Sequence, residues 1–218
     1  MAGSGDASRR GARDPAAGAL ALAAVVCLLP AACSLFDPRA PEDPDESPQF
    51  WQYPSVPSIV VNNLDGSLEN QSITLYMTCF DTTFAFMADP ADTIEYGGGL
   101  QFGDWDYEVE QNTLINLFAQ VQGTGAPAES LVSVTFTTVS GQPDPPAPVD
   151  SATIWRDYSI VIAGSEYATW ESPARGRAKI TMIESSSATW AVSRWEDYRP
   201  DDYAGDSYTW GVAKADYR

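Results

Sequence analysis

From residue 58 the apolar positions follow a helical spacing. Val60, Leu64 and Leu68 recur every four residues behind Ser58, whose side chain can cap a helix. Asp65-Gly66 interrupts the stripe, so two short strands joined by a turn at 62–66 compete with one helix. A short second helix is predicted over 73–80, and Thr82, Phe84 and Phe86 then alternate as a strand. Residues 89–104, with three consecutive glycines at 97–99, read as a loop. The next helix starts at a cap, Asp104 or Asp106, and carries Glu108 and Glu110 in its first turns. Its apolar face is Leu114, Ile115, Phe118 and Val121, and the stretch 123–127 stops it. Strands are predicted over 131–140, 154–163, 167–183 with a bend at 171–176, and 190–197. Turns at 164–165 and 185–187 make the last three a meander. Strict alternation along the last strand puts Trp190 and Val192 on one face, and Ala191, Ser193 and Trp195 on the other.

The first 57 residues have no such periodicity. Arg9, Arg10 and Arg13 precede an apolar run over 16–32 that closes on Pro30-Ala31-Ala32-Cys33, the layout of an export signal. The run is shorter than the roughly 20 residues of a spanning helix. Residues 34–57 then carry prolines among acids, which predicts an extended, solvated tether. The expected division is signal 1–33, tether 34–57 and one domain over 58–218.

Charge and composition narrow the function classes. The chain has 12 basic and 30 acidic residues, and removing residues 1–33 takes away three Arg and two Asp, which leaves 9 and 28. Such a surface does not neutralise phosphates, so nucleic acid is an improbable partner, and a membrane must be held by lipid and not by protein charge. Histidine is absent, which excludes Ser-His-Asp and Cys-His catalysis and His-ligated zinc. Of three cysteines, Cys27 falls in the signal and Cys33 at its end, so Cys79 stands alone and reads as a core thiol.

Two resemblances follow. Ala31-Ala32-Cys33 resembles the lipobox of bacterial lipoproteins, with Pro30 where that family usually has Leu. This implies cleavage before Cys33 and a diacylglycerol on its thiol; Ser34 at the next position implies the outer membrane. Ordinary cleavage after Ala32 and an uncleaved anchor are the alternatives. The stretches LENQSITLYMTCFDTTFAFMADP (68–90), DYEVEQNTLINLFAQV (106–121) and RAKITMIESSSATWAVSRWEDYR (177–199), in that order, resemble the nuclear-transport-factor-2-like superfamily. The resemblance implies an α+β fold in which three N-terminal helices pack on a strongly curved antiparallel sheet, a cone open at one end. In the superfamily's isomerases an Asp-Pro at the end of the first strand abstracts a proton, and Asp89-Pro90 lies at a similar point. Their oxyanion donors would fall at Leu64 and at Lys179 or Ile180, which cannot serve.

The candidate residues each carry a plainer reading. Asp89 is a general base or a turn residue. Trp105, Tyr107 and Trp195 line a ligand cavity or fill a core. Arg156 receives an anionic ligand or pairs with one of the many carboxylates. Asp201, Asp202 and Asp206 lack calcium-loop spacing and read as a solvated loop, so neither metal nor cofactor is expected. The leading expectation is a non-catalytic module, anchored in the envelope, that binds a small apolar or amphipathic ligand or a protein partner, with a homodimer as a third class. The alternative is an isomerase-, cyclase- or dehydratase-type enzyme using Asp89.

Overall fold

The computed structural model describes residues 50–122, 132–146, 150–162, 173–203 and 208–218. The expected signal, the expected tether up to residue 49, Cys33, the expected turn at 164–165 and Asp206 lie outside them. The fold is α+β. Helices α1 (Pro57–Glu69) and α2 (Ile73–Met77) lead into strand β1 (Phe80–Met87). Helices α3 (Pro90–Tyr96) and α4 (Tyr107–Gln122) follow, then β2 (Val132–Thr138), β3 (Ser151–Ile162), β4 (Ala174–Glu184) and β5 (Trp190–Tyr198). A last helix, α5 (Trp210–Ala215), ends the chain. The sheet is open, in the order β1-β5-β4-β3-β2. β2 to β5 are antiparallel as expected, but β1 joins β5 in parallel, so the sheet is mixed.

Several local outcomes differ from the pattern. α1 runs unbroken through Gly66, because the missing side chain makes room for Phe50: a Cβ there would lie 2.5 Å from the Phe50 ring. Residues 50–54, expected in the tether, thus pack on the fold. Gln52 exchanges two hydrogen bonds with the Asn63 side chain, and Trp190 N donates to Pro54 O. Within 89–104, read as a loop, Asp89 and Pro90 start α3 by a cap and a proline at the first helical position. Asp106 is the cap of α4, accepting from Val109 N at 3.0 Å, and Leu117 takes the core position expected of Ile115, which is 42 % exposed.

The largest change is at β5. Thr181 pairs with Arg194 and Met182 with Val192, so Ser193 is skipped in the ladder. This bulge shifts the side-chain phase by one residue and brings Trp195 to the same buried face as Trp190 and Val192. That face, with Ile154, Ile180 and Met182, packs with α1, α4 and α5 into one core.

Candidate functional site

The interior of the fold is occupied by the chain's own last helix. Thr209 caps α5 by accepting from Val212 N, and every residue from Trp210 to Ala215 is buried. Two features of the sheet bring α5 down onto it. Gly176, opposite Tyr158 across β3 and β4, has no room for a side chain: a Cβ would sit 2.2 Å from the Tyr158 hydroxyl oxygen. The Tyr158 hydroxyl uses that space to donate to Asp197 Oδ1 (2.6 Å) and accept from Trp210 N (2.8 Å), while Gly211 N donates to Asp197 Oδ2 (2.8 Å).

Lys214 reaches deeper. Its ammonium donates to both oxygens of Glu110, at 3.0 and 2.7 Å, and both side chains are buried. Tyr76 OH and Trp105 Nε1 each donate to Glu110 at 2.7 Å. The Lys214 Nζ lies 3.7 Å from the ring centre of Phe86 and 5.0, 5.6 and 5.9 Å from those of Trp105, Trp210 and Trp195. Burial pushes its pKa down, opposed by Glu110 and Asp197. Burial also raises Asp197, to about 7, although Tyr158 and Gly211 favour its charged form. The Tyr76 and Tyr158 hydroxyls are driven up by burial and by their carboxylate neighbours.

A second polar cluster closes the rim. Arg199 Nε donates to Asp92 Oδ1 and Thr209 Oγ1 to Asp92 Oδ2, both at 2.6 Å, and Arg199 also pairs with Glu95. Asp89 belongs to this rim: its Oδ1 accepts from Ala91 N (2.7 Å) and its Oδ2 from Arg199 N (2.9 Å). A proton-abstracting carboxylate needs a pocket with a donor beside it. Asp89 instead spends both oxygens on backbone amides that tie α3 to the end of β5. Of the positions where an isomerase would keep oxyanion donors, Leu64 and Ile180 are core, and Lys179 pairs with Glu196 at 3.0 Å on the opposite sheet face.

The other expected residues separate. Trp105 and Trp195 are buried against the α5 box, so they fill the interior and do not line an open cavity. Tyr107 is half-buried, its hydroxyl 3.5 Å from Met77 O. Arg156, buried on β3, forms a two-pronged pair with Asp144 at 2.7 and 2.6 Å, and so anchors the Pro-rich loop 143–146. Cys79 is buried and its thiol is pushed far up by desolvation, as expected of a core residue. Among the described residues no cluster has the makings of a metal site. The sequence does not single out Glu110, Asp197 or Lys214 as site residues. For Glu110 a signal was present, since it precedes Leu114 by four residues and Phe118 by eight on the apolar face of α4.

The described residues leave the other face of the sheet uncovered. β3 and β4 place Trp155, Asp157, Arg177, Lys179 and Ile183 there, half-buried or exposed, and β5 adds Arg194, Glu196 and Tyr198. Trp155 packs on Tyr198 with ring centres 5.8 Å apart, and Arg177 holds Asp157 at 2.8 Å. Lys179, Tyr198 and Arg194 hold the Glu196 carboxyl below its ordinary range, against its partial desolvation. A shallow cleft of about 240 Å³ runs along this face between Asp157, Arg175, Arg177 and Asp201.

The sequence matches no protein-family model and no curated protein. Solved structures of similar shape exist. A scytalone-dehydratase-like protein from Novosphingobium aromaticivorans is 11 % identical over 71 % of this chain and 90 % of its own, with a TM-score of 0.48. An NTF2-like protein from Shewanella oneidensis is 8 % identical over 63 % and 92 %, with a TM-score of 0.41. Bd1075 of Bdellovibrio bacteriovorus is 15 % identical over 67 % of this chain, with a TM-score of 0.46; the match spans 40 % of its length. These are likenesses of shape, and none carries an activity to this chain.

Proposed function

We propose that this chain is a non-catalytic recognition module, held at the outer membrane by lipid on Cys33, that docks a protein partner on the uncovered face of its sheet. The observation that supports it is the filled interior: Trp210 and Lys214 are completely buried where a ligand would enter. With the interior taken, the half-buried Trp155, Tyr198, Arg177 and Lys179 offer a recognition surface on the outer sheet face. They are of the kinds that dominate binding energy at protein interfaces, Lys excepted. Arg175, Arg177, Lys179 and Arg194 lie on this face, each paired with a neighbouring carboxylate, so in a molecule of net charge −18 the face is nearly balanced in charge and repels an acidic partner surface less than the rest of the molecule does.

A photo-crosslinking side chain in place of Trp155, in cells that make the full chain, tests this. A discrete cross-linked product that Arg177→Glu abolishes is expected. Only unlinked chain, or products indifferent to that substitution, would overturn the reading, and a product of twice the chain's mass identifies the partner as a second copy.

A further inference from the structure

Glu110 is oriented before any cation reaches it. Tyr76 of α2 and Trp105, just before α4, each donate to one of its oxygens, and neither belongs to α5. Phe86 of β1, Trp105 and Trp195 of β5 supply three aromatic rings around the same point. The body of the domain thus builds a carboxylate with three rings about it. The cation comes from a six-residue helix at the end of the chain, which adds Trp210 as a fourth ring.

Aromatic faces and a desolvated carboxylate are what recognise an ammonium group. Stability is a weak reason for such an arrangement, because a buried ion pair seldom outperforms an apolar pair of the same volume. The indole N–H of Trp195, buried with no hydrogen-bond partner, adds a further cost that a packed apolar core would avoid. We propose that the interior is a binding site for a primary alkylammonium group, with Lys214 as its tethered occupant. A small molecule ending in a primary ammonium on a straight chain of about four carbons, the length of the lysine stem, displaces α5 and takes its place. To leave, α5 breaks the bonds from Trp210 N and Gly211 N to Tyr158 and Asp197, the Thr209–Asp92 bond at its cap and, just beyond it, those of Tyr217 O with Asn116 and of Arg218 with Gln101 and Gly103, and it exposes its own apolar residues. The site is separate from the outer sheet face, so a failed cross-link there leaves it standing.

The test is chemical rescue in the full chain. Lys214→Ala is expected to melt several degrees lower than the unaltered protein. Millimolar n-butylammonium chloride should recover at least half of that loss, whereas n-butanol and sodium chloride should not. The double variant Lys214→Ala/Glu110→Gln should lose the rescue. Equal rescue by n-butanol, or none in a folded variant, overturns the proposal. Should Lys214→Ala fail to fold, amide exchange in the unaltered chain decides. n-Butylammonium should speed exchange over 210–215 at least two-fold relative to sodium chloride at equal ionic strength, and unchanged rates reject the site.

Discussion

Asp197 shows how one residue couples the interior to pH. Its carboxyl is raised to about 7 by burial, so between about pH 4 and 7 the folded chain holds a proton that the unfolded chain has released. Its contribution to stability is therefore full below about pH 4 and is lost as pH rises through 7. The shift corresponds to about 4 kcal/mol at most. Urea midpoints should fall from pH 5 to pH 7.5 in the unaltered chain, and Asp197→Asn should flatten most of that slope. Asp65, raised to about 6 by burial and by Glu69, leaves a smaller slope behind. A variant as pH-dependent as the parent would contradict this. Residues of this kind were legible only where they fell on a periodic stripe. Glu110 did; Lys214 and Asp197 did not, because Lys214 sits in six residues too short to show a period and Asp197 follows a bulge that resets the alternation.

At the scale of elements, the β5 bulge determines what the core contains. Deleting Ser193, the extra residue, would leave Trp190, Val192 and Trp195 in phase, whereas deleting Ala191 would turn Trp190 out of the buried face that Val192 and Trp195 share. The expected cost of the Ala191 deletion is on the order of 3–5 kcal/mol, that of losing a large buried aromatic. It should be visible as a lower melting temperature and a red-shifted tryptophan emission, whereas Ser193→Ala, which loses only a 3.2 Å bond to Thr181 O, should change little. The long helices and the antiparallel strands were readable because their periods extend over many residues. The parallel pairing of β1 with β5 was not, since it joins segments about 110 residues apart and no local signal encodes it. α3 was obscured by the glycines that follow it, although its Asp-Pro start was in plain view.

At the scale of the whole molecule, composition and architecture address different questions. The acidic surface and the absence of histidine narrow the chemistry, while the signal-like N-terminus bears on location. Mass spectrometry of the mature protein from cells checks the latter: an N-terminus at Cys33 carrying diacylglycerol is expected, shifting to unlipidated chain in Cys33→Ser, and an unmodified start at Cys33 or Ser34 would remove the anchor. The way the chain enters the domain also has a mechanical side. Phe50 is lodged in the notch over Gly66, Gln52 is clasped by Asn63, Tyr53 OH reaches Ser187 O and Pro54 O holds Trp190 N. Tension applied to the chain ahead of Phe50 is consequently spread over α1 and the β4–β5 hairpin, two parts of the core far apart in sequence. Drag through the proposed tether would therefore load several contacts together and would not peel the described fold open from Phe50.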